Sequence, residues 1–113
     1  MALFGKKGGI DARQAAELVD SGEALLLDVR EHGEWRAGHA PGATHIPLGE
    51  LEQRIGELPQ GGRIVAVCRS GNRSARATES LRRAGLQVEN LDGGMNGWRK
   101  AGLPLEPPDG RVA

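Results

Sequence analysis

The apolar positions of this chain fall into two alternating patterns, short unbroken runs and stretches spaced three and four apart, with glycine or proline at most junctions. Asp11 reads as a helix N-cap with Gln14 as its capping-box partner. Ala15, Leu18 and Val19 then share one face, and Gly22 stops the helix. The run Ala24 to Val29 is short and uniformly apolar except for Asp28, which predicts a central strand buried on both faces. A helical turn follows at Glu34 to Ala37, then the loop GHAPGA and a brief extended segment at Thr44 to Ile46, with Pro41 and Pro47 opposing helix.

Leu48, Leu51, Ile55 and Leu58 lie three, four and three apart, which predicts a helix ending by Pro59. After a turn at Gln60 to Gly62, Arg63 to Cys68 carries the second apolar run, IVAVC. Ser74 to Ala84 returns to helical spacing, with Ala77, Leu81 and Ala84 inward and Gly85 as the stop. Leu86 to Leu91 alternates as a strand buried on one face does, Asp92, Gly93 and Gly94 turn the chain, and a last short helix carries Trp98. Strands separated by helices predict an α/β fold, a mostly parallel sheet reached by right-handed crossovers and covered by helices on both faces.

A chain of 113 residues fits one domain. The expected limits are a lead-in at 1–9, the domain at 10–105 and a loose tail at 106–113. With three aromatic residues, Phe4, Trp35 and Trp98, the core must be built from Leu, Val, Ile and Ala.

Fifteen basic residues balance fifteen acidic ones, which argues against the broad positive footprint of a nucleic-acid or membrane-surface binder. The balance is uneven: Arg63, Arg69, Arg73, Arg76, Arg82 and Arg83 face a single acid, Glu79, so 63–83 carries +5 and the remainder −5. No stretch has the roughly 20 apolar residues needed to span a bilayer, and Ala2 to Phe4 is too short for a signal-peptide core before Lys6 and Lys7. The expected location is the cytoplasm. One cysteine, Cys68, excludes an intramolecular disulfide and any multi-thiolate metal site. Three scattered histidines do not complete one, so no metal ligands are assigned.

A lone cysteine is most often a small buried apolar side chain. The surroundings of Cys68 point further. It ends a strand at the carboxyl edge, where open α/β sheets gather ligands, and Arg69, Ser70, Gly71, Asn72, Arg73 and Ser74 lead straight into a helix. Small, turn-forming residues let successive N–H groups point inward, and a helix beginning near Ser74 aims its positive end at the same spot. Both favour a thiolate. Arg76, Arg82 and Arg83 read as surface charges, and Arg69 and Arg73 as either surface charges or part of the site.

The segment VCRSGNRS at 67–74, preceded by LLLDVRE at 25–31 and GHAPGATHIP at 38–47 and followed by LDGGMNGW at 91–98, resembles a single-domain rhodanese, a thiosulfate sulfurtransferase-type protein, from Ile10 to about Leu105. The resemblance implies a five-stranded, mostly parallel sheet with Cys68 cradled by the loop after it. It further implies that Cys68 attacks the outer sulfur of thiosulfate or another sulfane donor and passes it, as a persulfide, to cyanide or a thiol. Arg69 and Arg73 would orient the small sulfur anion, the loop amides would hold the charge, and no cofactor is required. A persulfide-donating protein is a further expected partner.

Cys68 and Arg73 enclose four residues, whereas relatives acting on phosphate or arsenate carry five, so a phosphatase or arsenate reductase is the lesser alternative and a non-catalytic persulfide carrier or regulatory module the nearer one. Val67 stands where such phosphatases have histidine and several rhodaneses tyrosine. Asp28 and Arg30 are expected to brace the wall of the site, with Asp28 bonding the loop or an arginine; an ion pair of Arg30 with Glu31 or Glu34 is the structural alternative. His39 is expected to tie down loop backbone, Trp98 to pack under the last helix, and Gly93 and Gly94 to approach the cysteine loop closely. Trp35 reads as lying either near the mouth of the site or on the sheet edge. His32 and His45 give no signal.

Overall fold

The computed structural model describes residues 9–113; the lead-in residues 1–8, Phe4 included, lie outside the described part. Helix α1 spans Ala12–Asp20 and opens with the expected capping box, in which the Gln14 N–H donates to Asp11 and the Asp11 N–H to the Gln14 side chain. Strand β1 is Ala24–Asp28, α2 is His32–Ala37, β2 is Thr44–His45, β3 is Arg63–Val67, α3 is Asn72–Arg83, β4 is Gln87–Asn90 and α4 is Gly94–Lys100.

The four strands form one parallel sheet in the order β2-β1-β3-β4. Where a fifth strand was expected, the described residues show one parallel bridge, Ile10 with Leu91. On its C-terminal side the pairing stops because Asp11 already caps α1 and the backbone turns helical.

Alternation along the central strands sends side chains into two cores. Leu27, Val29, Ile64, Ala66 and Cys68 pack with Ala77 and Leu81 of α3. Leu26, Val65 and Val67 face the other way, against Ala15 and Ala16 of α1 and Met95 and Trp98 of α4. Helices therefore cover both faces, as two-faced burial of β1 and β3 requires. Trp98 is buried as expected, and its indole N–H donates to the Pro104 carbonyl at 2.7 Å.

The helix expected over 48–58 is absent. Two 3₁₀ turns, Leu48–Glu50 and Ile55–Glu57, take its place. Gly49 and Gly56 each cost a helix interior about 1 kcal/mol, and Arg54 leaves helical geometry to join Glu50 and Glu57 at 2.9 Å each. The apolar spacing still serves burial: Leu51 and Leu58 are in the core, and Leu48 and Ile55 pack against it.

The tail, expected to be loose, is tethered. His39 and Glu106 exchange backbone hydrogen bonds at 3.0 and 2.7 Å, and the Arg111 N–H donates to the Ala37 carbonyl at 2.9 Å. Among the described residues no helix is long and apolar enough to cross a membrane.

Candidate active site at the end of strand β3

β1 and β3 run in register with Asp28 opposite Val67, so Asp28 and Cys68 leave the sheet on the same edge. The chain then doubles back within three residues. Gly71 makes the bend at φ +113°, a conformation that disfavours any side chain, and α3 begins at once with Asn72, two residues earlier than the sequence suggests.

This curl closes on the sulfur. Cys68 Sγ accepts the Gly71 N–H at 3.1 Å, the Ser74 N–H at 3.3 Å and the Ser74 hydroxyl at 3.3 Å. Burial opposes ionisation of the thiol. The Ser74 hydroxyl and the N–H groups of Ser74, Gly71 and Ser70 outweigh it and hold the pKa below its ordinary value.

The back of the loop is clamped by α4. Met95 and Asn96 N–H groups donate to the Cys68 and Arg69 carbonyls at 2.8 and 3.0 Å. A Cβ on Gly94, whose φ is +57°, would lie 2.5 Å from both carbonyl oxygens, so the close approach expected of the glycine pair holds at Gly94.

Arg73 does not point into an empty anion site. Its guanidinium is bidentate to the Glu34 carboxylate, with both bonds at 2.8 Å. That hydrogen bonding lowers the Glu34 pKa to about 2, against the cost of its burial, and raises that of Arg73. Glu34, the third residue of α2, was weighed in the sequence only as a partner for Arg30; its pairing with Arg73 was missed, and the signal available was an acid needed to match the loop arginine. Arg69 is exposed and its side chain makes no hydrogen bond among the described residues.

Asp28 and Arg30 form a fully buried pair with bonds of 2.7–3.1 Å, and Arg30 also donates to the Gly38 carbonyl at 2.9 Å. Asp28 thus takes the arginine rather than the cysteine loop, and Arg30 takes neither Glu31 nor Glu34. Through Gly38 the pair is bonded to the C-terminal end of α2, the helix from which Glu34 reaches Arg73. His39 does tie backbone, donating from Nδ1 to the Trp35 carbonyl at 2.8 Å. Trp35 lies stacked between His39 and His45, with ring centres 3.6 and 4.7 Å apart, and His32 meets His45 edge-on.

Asn90 at the end of β4 is the second residue that sequence reading missed. Its Nδ2 donates to the Gly71 carbonyl at 3.3 Å and its Oδ1 accepts the Ser74 hydroxyl. A polar residue ending a strand at the ligand edge was the available clue. Outside the loop lies an open groove of about 920 Å³ whose lining includes Ser70, Gly71, Asn90 and Asp92. Arg76, Arg82 and Arg83, expected as surface charges, line it too.

A family model described as Rhodanese-like domain matches residues 11–101. A protein named Sulfurtransferase from Allochromatium vinosum is 36% identical over 103 residues, covering 89% of this chain and 96% of that protein. The HTH-type transcriptional regulator Rv0324 of Mycobacterium tuberculosis is 46% identical over 101 residues, covering 85% of this chain but 45% of that longer protein. The crystal structure of a rhodanese-related protein from Thermoplasma volcanium superposes with a TM-score of 0.81 at 32% identity, over 86% of this chain and 95% of that one. The cysteine loop at the carboxyl edge of a parallel sheet, the matched span and the shared fold agree: the chain belongs to the rhodanese-like domain family.

Proposed function

We propose that this protein is a sulfurtransferase that carries sulfane sulfur as a persulfide on Cys68. The supporting observation is the convergence of two backbone N–H groups and one hydroxyl on Sγ inside a loop with four residues between Cys68 and Arg73. Such donors hold a thiolate, and then a persulfide anion, without a histidine base. Kinship with the Allochromatium vinosum sulfurtransferase, matched over nearly its whole length, supports the same class.

With thiosulfate as donor, the Cys68 thiolate attacks the outer sulfur. The new S–S bond forms as the old one breaks, and sulfite leaves with the bonding pair. Cyanide or a thiolate then attacks the outer sulfur of the persulfide, and Sγ regains its electron pair as the thiolate. Ser70, Gly71 and Ser74 hold the charge on sulfur through both steps, Asn72 starts the helix behind them, and Arg69 meets the incoming donor. Asp28 and Arg30 keep the opposite wall in place.

The Glu34–Arg73 pair favours a second reading of the donor. An arginine already neutralised by a carboxylate attracts a dianion weakly, so a protein persulfide presented across the groove is the better matched source, and the protein then acts as a carrier. Loading assays with thiosulfate, polysulfide and a cysteine-persulfide donor separate the two. Thiocyanate formation from thiosulfate that disappears in Cys68→Ser supports the enzyme; loading by persulfide donors alone supports the carrier. Absence of loading from every donor contradicts both.

A further inference from the structure

Ser74 has one hydroxyl proton and two acceptors in reach, Cys68 Sγ at 3.3 Å and Asn90 Oδ1 at 2.5 Å. It donates to one at a time. The orientation of the Asn90 carboxamide follows from its other end, where Nδ2 donates to the Gly71 carbonyl; turned over, it would set oxygen against oxygen. Its backbone is equally fixed. Asn90 stands opposite Ala66 in the sheet, and its carbonyl accepts the Ile10 N–H at 3.0 Å. Asn90 therefore bonds Gly71 and Ser74, the two residues with hydrogen bonds of 3.1–3.3 Å to the sulfur, while making no hydrogen bond to the sulfur itself.

We propose that Asn90 is a positioning residue that sets the ionisation of Cys68 through the Ser74 hydroxyl and the Gly71 amide. While Cys68 is a thiol, the serine O–H points to Asn90 Oδ1, and the serine oxygen can accept the S–H. When the thiol proton leaves to water, the hydroxyl turns to Sγ. Its own proton stays on Oγ throughout, and the S–H bond alone is broken. Nδ2 remains on the Gly71 carbonyl in both arrangements and keeps the Gly71 N–H on the sulfur.

Other charges face this cluster. From α3 and α2 come Arg73 and Glu34, with Glu31 near the arginine. Asp92, Arg76, Glu79, Arg82 and Arg83 line the same groove as Asn90. All of them stay unaltered when residues 74 and 90 are varied, so differences among those variants report the serine and the asparagine.

The proposal rests on Cys68 as the reactive thiol, and its test reads the thiolate directly. The Cys68 pKa is followed by the ultraviolet absorbance of the thiolate as pH is raised, with Ser74→Ala introduced into the wild type, Asn90→Ala and Asn90→Asp. Asn90→Asp keeps an acceptor on the serine proton, adds a negative charge and loses the donor to Gly71; it should raise the Cys68 pKa by about one pH unit. Because the introduced carboxylate would hold that proton in both states, Ser74→Ala should shift the titration little in the Asn90→Asp protein. The shift should be larger in the wild type and largest in Asn90→Ala, where nothing competes for the hydroxyl. Equal shifts in all three backgrounds, or an unchanged titration in Asn90→Asp, would overturn the proposal. Should Asn90→Asp fail to fold, wild type against Asn90→Ala decides: a larger shift in Asn90→Ala supports it and an equal or smaller one overturns it. A protein that titrates as expected yet accepts no sulfur contradicts the proposed function and leaves this role of Asn90 standing.

Discussion

Glu34 on α2 grips Arg73 on α3 through two parallel 2.8 Å hydrogen bonds, spanning 39 positions of sequence to close one side of the cysteine loop. Bidentate carboxylate–guanidinium pairs are strong and geometrically exacting. Of the two loop arginines, Arg73 is therefore occupied before any donor arrives.

Glu34→Gln should release that charge. The KM for thiosulfate is expected to fall on the order of tenfold, the effect of about 1.4 kcal/mol, with a much smaller change for an uncharged donor. Arg73→Ala should impair both donors, because it removes an anchor of the loop as well as a charge. Steady-state kinetics with the two donor types checks this, and a thiosulfate KM unchanged by Glu34→Gln contradicts it.

The same pair sets an acid limit. The folded-state pKa of Glu34 is depressed to about 2, so its contribution to stability is complete above the ordinary carboxylate range and is lost as pH falls toward that value. Denaturant midpoints of wild type and Glu34→Gln should differ most near neutrality and converge on acidification. A constant gap across that range would count against the pair as its source.

For Cys68 the lowered pKa places ionisation below the ordinary thiol range. The thiolate is the form favoured by folding, so its stabilisation is present above the unfolded thiol's pKa and is lost as pH falls through the folded one. The alkylation rate of the native protein should rise at lower pH than that of the unfolded chain, and Gly71→Ala, which strains φ +113°, should move the rise upward. Coincident profiles for native and unfolded protein would contradict the loop's effect.

Gly94→Ala should be costly, because its Cβ would meet the Cys68 and Arg69 carbonyl oxygens at 2.5 Å and the backbone is left-handed there. A loss of about 3 kcal/mol is expected from overpacking and strain together, read as a shifted denaturation midpoint. Gly102→Ala, also at positive φ but with nothing near its Cβ, should lose only the conformational part.

Arg30→Met would leave Asp28 buried without its partner. Breaking such a pair costs about 3–5 kcal/mol, so thermal unfolding should shift strongly downward. The double variant Asp28→Asn with Arg30→Met should recover part of the loss; no recovery would argue that packing of the long side chain, rather than its charge, matters at this position.

Much of this was legible in the chain. The two apolar runs placed β1 and β3 and marked β1 as buried on both faces, as the structure has it, with Leu27 and Ala66 in one core and Leu26 and Val65 in the other. Cys68 and its following loop were readable because strand end, bend and helix start are contiguous. The contacts of Glu34 and Asn90 were not, since each reaches the loop through tertiary structure: a glutamate in the first turn of a helix and a strand-end asparagine look the same whether or not an arginine or serine awaits them. The 48–58 segment misled for another reason. Three-and-four spacing records which side chains are buried, and two 3₁₀ turns bury Leu51 and Leu58 as well as a helix would, while accommodating Gly49 and Gly56.

The most direct measurement of sulfur transfer through Cys68 is the intact mass of the purified protein after incubation with a panel of sulfane donors. The wild type should gain one sulfur atom, lose it on addition of cyanide, and show no gain as Cys68→Ser. A wild type that forms no adduct with thiosulfate, polysulfide or a protein persulfide, or a gain that persists in Cys68→Ser, would contradict it.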